Sequence, residues 1–172
     1  LTPNKIYSLH EIDAYAVNKG KDHKGYEFGT KASIVITKNT GIIVGVAAHK
    51  TNIHDSKTLQ EVLTNATNNR STPIAEAICD RGYRGTKEVT IENNTIEISI
   101  PGTVLKKDTP KQKEIKREKF RRRAAIEPII GHMKSDYRMA RNYLKGFAGD
   151  EINLLLTATA FNLKKWMSIY SY

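Results

Sequence analysis

The stretch PIAEAICDRGYRG, residues 73–85, joins a short apolar run to an acid and a glycine-rich turn. The run, residues 74–79, lies between Pro73 and Asp80. Apolar runs of this length between turn signals are typical of buried strands, so we predict a central strand here. A carboxylate at the C-terminal end of such a strand lies where open α/β sheets bind their ligands. Asp80 is therefore a candidate functional residue, although a turn-forming Asp beside Gly82 explains the pattern equally well.

The residues that follow Asp80 could bind a phosphate group. Glycine lets a backbone approach a ligand closely, and Gly82 and Gly85 could do so here. Arg81 and Arg84 alternate with these glycines and could contact the same phosphate. The turn is therefore a candidate phosphate contact.

Upstream of this strand the sequence predicts a hairpin and a helix. Residues 26–37 are rich in β-branched and aromatic side chains, which is typical of a strand. Residues 1–25 are polar and contain Gly20 and Gly25, so we interpret them as a loosely structured lead-in. The further predicted elements are a turn at residues 39–41, a partner strand at residues 42–49, and a helix capped by Asp55 or Ser56 that buries Leu59, Val62 and Leu63.

Downstream of the strand the sequence predicts a second hairpin and then helices. Residues 89–100 look like two short strands around Asn93 and Asn94, and the sequence is helical and basic from Thr109 onward. This order of elements indicates a mixed α/β layout. A last helix is expected at residues 150–166, packed on the sheet by Ile152, Leu155, Leu156, Thr159 and Leu163.

The stretch FRRRAAIEPIIGHMK, residues 120–134, carries a second candidate acid. At about 100° per residue, Phe120, Arg123, Glu127 and Lys134 share one stripe of a helix. Glu127 could bind a metal ion while the bases hold a DNA backbone. An exposed i, i+4 ion pair worth a few tenths of a kcal/mol explains the spacing more simply. Pro128 requires a kink or a helix start at this point.

The chain carries 28 Lys and Arg against 18 Asp and Glu, a net charge of +10, which favours a polyanionic partner. The run at residues 106–123 is basic and leads into Arg123, so we expect it to bind a nucleic-acid backbone, although such runs are often solvated helix faces. Residues 138–145 form a second basic stretch, in which Tyr143 could stack on an unpaired base or belong to the core.

Other features exclude some classes of site. Cys79 is the single cysteine, which excludes an internal disulfide and a multi-cysteine zinc site. No stretch reaches the roughly 20 apolar residues of a membrane helix, so a cytosolic location is expected. His54 and Asp55 could form a metal or base pair, but a His beside a helix cap is more often structural. A site of carboxylates without thiols would favour Mg²⁺ or Mn²⁺ over Zn²⁺.

These stretches resemble the DDE transposases of bacterial insertion sequences, in the group marked by a spaced Tyr-Arg-Glu-Lys signature. The signature has two, three and six residues between its members, and it falls on Phe120, Arg123, Glu127 and Lys134, with Phe in place of Tyr. The resemblance extends from about Ile6 to residue 167. It includes the blocks YEFGTKASI, CDRGYRG, RRRAAIEPIIGHMKSDYRMARNYLKG and NLLLTATAFNL.

The resemblance implies an RNase H-like fold, a mixed sheet flanked by helices, and a Mg²⁺ or Mn²⁺ site of two Asp and one Glu. Such enzymes nick DNA at the element's ends and join the freed 3′-hydroxyl to target DNA. By matching motif, Asp80 is the second Asp and Glu127 is the Glu. A homodimer on double-stranded DNA near the nucleoid is expected. The signature implies Arg123 and Lys134 as DNA contacts, and the basic stretches add Arg81, Arg84, Arg121, Arg122, Arg141 and Lys145.

The sequence departs from the family pattern at the first Asp. That residue should end an earlier strand in a context such as Asp-Thr-Thr, and we expect this strand upstream of Leu1, with Asp13 as the local substitute. The fragment alone could therefore be inactive. We divide the chain into a lead-in (1–25), an RNase H-like catalytic part (26–167) and a tail (168–172).

Two other functions fit the composition. One is a non-catalytic, basic nucleic-acid-binding remnant of a transposase, and the other is a host RNase H-like nuclease. A protein that only binds nucleic acid has no need to place Asp80 and Glu127 together among basic side chains, because two acids there would repel the nucleic acid. The spaced signature argues against the host nuclease.

Overall fold

The strands form small sheets that the helices cover, as a computed structural model of the chain describes for residues 5–21 and 24–170. The mixed α/β class is confirmed. The strands are β1 (Tyr15–Lys21), β2 (Lys24–Gly29), β3 (Lys31–Ile36), β4 (Ile43–His49), β5 (Glu76–Ile78), β6 (Glu88–Ile91) and β7 (Asn94–Ser99). The helices are α1 (Leu59–Asn68), α2 (Pro110–Ala124), α3 (Ile126–Ser135) and α4 (Gly146–Tyr170), with 3-10 turns at Asp55–Lys57 and Arg81–Tyr83.

Three separate ladders join the strands. β1 pairs with β2 and β3 pairs with β4, both antiparallel. In the third sheet β7 lies in the middle, parallel to β5 and antiparallel to β6. The two hairpins predicted at residues 26–49 and 89–100 are confirmed in their strand pairing.

Two predictions about the first 37 residues are wrong. The lead-in contains β1, whose polar composition hid it because a two-stranded ribbon buries little on either face. The single strand predicted at residues 26–37 is two strands. It breaks at Gly29, where a φ of 148° lets the chain leave the first hairpin and enter the second. Residues 1–4 and 22–23 of the lead-in lie outside the described residues.

The prediction of a central strand after Pro73 is also wrong for the part of the chain that the structure covers. β5 has only three residues, all half-buried, and it lies at the edge of its sheet with β7 as its one partner. The apolar run correctly predicted a strand that is at least partly buried. Such a run does not indicate whether the strand has one neighbouring strand or two.

Helix α1 covers the β3–β4 sheet and the three-stranded sheet. It contacts β4 and β3 on one side and β6 on the other. Leu59 and Leu63 join the apolar residues of β6 and β7 in one core cluster. Gly45 of β4 lies directly under the helix, because a Cβ there would come within 2.7 Å of the Val62 carbonyl oxygen and 2.8 Å of the Ala66 Cβ. The helix backbone therefore rests on the strand without an intervening side chain.

Helix α4 packs on β4 with the face opposite to the predicted one. Leu154, Ala158 and Phe161 are buried against the core that contains Ile43 and Met133. The side chains predicted to pack there are exposed, among them Ile152, Leu155, Leu156, Thr159 and Leu163. The error has a physical source: α4 is apolar on two faces, and periodicity alone does not say which one the protein buries. The helix also extends into the predicted tail, as far as residue 170.

The outer edge of β4 is closed by amide side chains. Asn162 Oδ1 accepts the Ile43 N–H at 2.9 Å, and its Nδ2 donates to the Ile43 carbonyl at 2.8 Å. Asn65 donates to the Val46 carbonyl, and Asn69 of the same helix end donates to the Val44 carbonyl. Side chains that occupy a strand edge prevent further pairing. This leaves the edge of β3 as the open side of the hairpin.

The end of β3 and the start of β5 are tied together by α2. Arg122 donates to the Lys38 carbonyl at 3.0 Å, just beyond β3. One turn earlier, Lys119 Nζ lies 2.5 Å from Glu76 Oε1, at the first residue of β5. That hydrogen bond is the main reason why the pKa of Glu76 is lowered, against the opposing effect of its partial burial.

At its other end β3 approaches the turn that follows β5, where the hydroxyls of Ser33 and Tyr83 lie close enough to interact. β3 and β5 therefore run in opposite directions beside each other. No backbone ladder joins them within the described residues. We call the unpaired boundary between β3 and β5 the slot.

The contact between Gly45 and α1 predicts a large effect of one methyl group. Gly45→Ala should lower the free energy of unfolding by about 1–3 kcal/mol, because the helix backbone must move away from β4. Gly131→Ala is the matched control, since nothing lies within 4 Å of a Cβ there. That variant should be neutral or more stable by up to ~1 kcal/mol, as helix interiors favour Ala over Gly. Urea unfolding measures both, and equal midpoints for the two variants would contradict the packing.

Candidate active site

Asp80 follows β5 and begins the 3-10 turn Arg81–Tyr83. Its Oδ1 accepts the Gly82 N–H at 2.8 Å, so the side chain caps the turn. The turn-forming role weighed from the sequence is therefore present. It does not exclude a second role, because Asp80 also lines a cavity.

The cavity lies between this turn and α2 and has a volume of about 760 Å³. Its wall on the α2 side is basic and carries one exposed aromatic ring, Phe120, which is 55% exposed. The cationic side chains that line it are Arg81, Lys116, Arg117, Arg121 and Arg123. Asp80 is the acid among the lining residues. This arrangement suits an anion that lies along α2 and reaches the carboxylate.

A second acid, Asp55, lies against the same turn. A Cβ on Gly82 would overlap Asp55 Oδ2 and come within 3.1 Å of Asp80 Oδ1, so both carboxylates face the small space beside Gly82. Asp55 also forms an ion pair with Lys31, whose Nζ donates to the Ile53 carbonyl as well. The sequence marked Asp55 only as a helix cap or as a partner of His54.

His54 has a structural role. Its Nδ1 accepts the Ser56 N–H and lies 2.8 Å from the Ser56 hydroxyl, which caps the turn Asp55–Lys57. The pairing of Asp55 with Asp80 depends on how two short turns pack together, and no spacing in the sequence signals such packing.

Glu127 begins α3. The helix path breaks at Ala125, so Pro128 falls in the first turn of a new helix, where proline is tolerated. The helix start that Pro128 requires is therefore present. Glu127 Oε1 lies 3.1 Å from Arg123 Nη2, and Glu127 is exposed. Arg123 lines the cavity, so it joins Glu127 to the wall that faces Asp80.

The predicted DNA contacts fall into two groups. Arg81, Arg121 and Arg123 line the cavity, whereas Arg122 holds the end of β3. Lys116 and Arg117 also line the cavity, and the basic run at residues 106–123 signalled them only as part of a charged stretch. Besides Arg122, four predicted contacts lie outside the lining and are exposed, namely Arg84, Lys134, Arg141 and Lys145.

Tyr143 is 68% exposed, so it is not a core aromatic. The Arg141 guanidinium lies over its ring, 5.6 Å from the centroid. An exposed ring beside a cation keeps the base-stacking role open.

A buried polar network lies beneath the site. His49 Nε2 is 2.9 Å from the Ser33 hydroxyl, and His49 Nδ1 is 3.2 Å from Glu61 Oε2. Burial lowers the pKa of His49, while the charge of Glu61 opposes that shift and Lys31 adds to it. A neutral imidazole therefore links β3, β4 and α1. Burial and the charge of Asp80 raise the pKa of Cys79 to about 12, so the thiol beside the cavity is not a nucleophile.

A comparison with protein-family models gives one decisive match. The model described as transposase DDE domain matches residues 6–163. The chain belongs to this family. The match includes Asp80, Glu127 and every predicted DNA contact. Neither the curated proteins nor the solved structures compared with the chain gave a match.

The carboxylates of this DDE domain do not complete a metal site by themselves. In the described ranges no three His, Cys, Asp or Glu side chains lie close enough together to hold one ion. Asp55 and Asp80 offer the hard oxygen ligands that Mg²⁺ prefers, but Glu127 is held by Arg123. A search of the same ranges for a membrane-spanning helix found none.

The contact beside Gly82 predicts a coupling between two variants. Gly82→Ala should destabilise the transposase domain, because the added methyl displaces the Asp55 carboxylate from its ion pair with Lys31. In the double variant Gly82→Ala/Asp55→Ala the methyl finds room, so the two losses should differ from additivity by about 0.5–3 kcal/mol. Gly102→Ala, with nothing within 4 Å of its Cβ, is the control. Strictly additive losses in thermal unfolding would show that Asp55 does not contact this turn.

Proposed function

We propose that this transposase domain cleaves DNA at the ends of an insertion sequence and transfers the freed strand to target DNA. The observation that carries the proposal is the position of Asp80 in a cavity whose opposite wall is the basic face of α2. Arg123 supports Glu127 as the second acid, because it contacts Glu127 and lines that cavity.

The DNA backbone fits the basic wall of this cavity. Helix α2 buries none of its residues, so the cations that line the cavity are accessible to a phosphate chain, although Lys116 pairs with Asp108 and Arg123 with Glu127. Each phosphate neutralised by Lys or Arg releases counterions and makes binding more dependent on salt. An acid in such a place weakens the attraction for DNA. A protein that only binds DNA would bind it more weakly because of Asp80. The position of Asp80 therefore favours a catalytic role over a non-catalytic remnant.

The cofactor of the proposed reaction is Mg²⁺ or Mn²⁺, since a carboxylate site without thiols prefers these hard ions. Two such ions neutralise the attacking and leaving oxygens when a phosphodiester is transferred. Asp80 and Glu127 are the proposed ligands in this chain. Because the described residues form no complete site, the proposal requires a further acid that approaches Asp80.

A further strand in the slot between β3 and β5 could supply that acid. A strand placed there would run antiparallel to β3 and parallel to β5, and its last residues would reach the two turns that hold Asp55 and Asp80. It would also merge the two sheets into one mixed sheet between α1 and α2, as an RNase H-like fold requires. The proposed occupant is a strand that carries the first Asp of the family pattern.

The proposal predicts opposite effects of acid and base variants in the complete transposase. Asp80→Asn and Glu127→Gln should each lower the rate of DNA end cleavage more than about a hundredfold, because each removes a proposed metal ligand. Loss of a residue that only hydrogen-bonds a metal ligand already costs about 10–100-fold. Both should leave the binding of end DNA largely intact. Arg121→Ala should weaken binding and lower the slope of log affinity against log salt by about one.

Glu114→Gln is the matched control, because Glu114 is an exposed acid of α2 outside the cavity lining. That variant should cleave like the parent in a gel assay with Mg²⁺. A parent-like cleavage rate for Asp80→Asn or for Glu127→Gln would overturn the assignment of that residue.

A further inference from the structure

The aromatic side chains of β2 are exposed. Tyr26 is 52% exposed and Phe28 is 61% exposed, although aromatic residues of a strand usually pack against a core. Side chains two residues apart point to the same side of a strand, so both rings lie on one face of the β1–β2 ribbon. Their partners across the ribbon, Asn18 and Ala16, are uncharged and share that face. We call it the aromatic face.

A third ring extends the aromatic face. The centroid of the Tyr7 ring lies 5.3 Å from that of the Phe28 ring, and the two planes are tilted by 31°. The Lys5 Nζ lies 5.6 Å from the Tyr7 centroid. The aromatic face therefore combines flat π surfaces with a positive charge, which is the composition of surfaces that bind single-stranded nucleic acid.

The ribbon is fixed to the sheet beside the candidate active site. The Tyr15 hydroxyl accepts the Lys31 N–H at 2.7 Å and donates to a backbone carbonyl of β4 at 2.6 Å. Phe28 precedes Lys31 by three residues, so their Cα atoms are at most about 11 Å apart. Lys31 forms the ion pair with Asp55, which lies against the turn of Asp80. A DNA strand that leaves the site at this end of β3 can therefore reach the aromatic face.

A fourth exposed ring, Tyr143, lies near the base of the ribbon. The Asp150 carboxylate accepts a hydrogen bond from the Thr30 hydroxyl, directly after β2, and another from the Asn142 amide at 2.8 Å. Tyr143 follows Asn142 and carries the Arg141 guanidinium over its ring. The same side of the ribbon base thus offers a second ring with its own cation.

Three acids close to these rings in sequence point elsewhere. Glu27 stands between the two rings of β2, so its side chain points to the opposite face of the ribbon. Glu11 Oε2 accepts the Gly146 N–H at 2.8 Å, and Asp13 Oδ2 accepts the Phe147 N–H at 3.3 Å. These N–H groups form the positive end of the α4 dipole, which offsets the charge of both carboxylates. A polyanion that approaches the rings therefore meets little repulsion from these acids.

We propose that the aromatic face binds an unpaired stretch of DNA, with bases stacked on Tyr26 and Phe28. Stacking requires only the flat side of a base, so such a site accepts any sequence. A duplex offers groove edges and backbone but no free base faces, and so cannot use the rings in this way. The inference rests on the proposed function for the origin of the strand, because DNA beside a nick can unpair.

Fluorescence anisotropy with a labelled oligothymidylate of about 12 nucleotides tests this site. The measurement is made with a chelator in place of Mg²⁺, so its outcome is independent of whether the domain cleaves DNA. Tyr26→Leu/Phe28→Leu should weaken binding at least about fivefold, because stacking on one ring contributes about 5–100-fold to affinity. Binding of a duplex of the same length should change by less than about twofold, since the rings do not contact it.

Tyr26→Trp/Phe28→Trp is the matched control, because it keeps a ring at both positions and should bind oligothymidylate at least as tightly as the parent. Circular dichroism checks that each variant is folded. A smaller loss for the Leu variant, an equal loss for the duplex, or a parent chain that does not bind oligothymidylate would overturn the proposal.

Tryptophan fluorescence tests the same contact without removing a ring. Trp166 is the single tryptophan, so a Trp166→Phe background has no indole of its own. In that background Phe28→Trp should lose emission when oligothymidylate is added, because a stacked base quenches indole. Leu163→Trp is the control, since Leu163 is 54% exposed on α4, and its emission should not change. Equal quenching at both positions, or none at position 28, would contradict stacking on the aromatic face.

Discussion

The close contact between α1 and Gly45 is the constraint on which the site depends. Because the helix backbone rests directly on β4, its other side can reach β6, and the two sheets are held side by side. Their relative position brings the turn Asp55–Lys57 against the turn that carries Asp80. Neither turn has a buried residue of its own, so packing of α1 and not local structure fixes their contact.

The electrostatics of the site follow from this placement. Asp80 keeps its carboxylate at the mouth of a basic cavity while its backbone turn stays capped, and Lys31 holds Asp55 close by. Arg123 plays a bridging part, since it belongs to the cavity wall and also pairs with Glu127. An acid surrounded by bases attracts cations poorly unless other acids join it. We propose that such an acid enters at the slot between β3 and β5, because β5 leads into the turn that carries Asp80.

Much of this arrangement could be predicted from the sequence because the signals are local. The apolar run before Asp80 and the proline after Glu127 each fix one backbone event, a strand end and a helix start. The contacts that were missed depend on tertiary packing: β1 has too polar a pattern to stand out, Asp55 meets Asp80 through two turns, and α4 has two apolar faces. The family match over residues 6–163 agrees with the local signals and does not replace the missing contacts.

The central proposal is that Asp80 and Glu127 hold one cation between them in this transposase domain. Hydroxyl-radical cleavage of the protein tests it directly, with Fe²⁺ in place of Mg²⁺ and the cut positions mapped by mass spectrometry. We predict backbone cuts at both places, beside Asp80 and beside Glu127, which excess Mg²⁺ suppresses together. Cuts beside only one of the two acids, or at neither, would contradict a shared metal site.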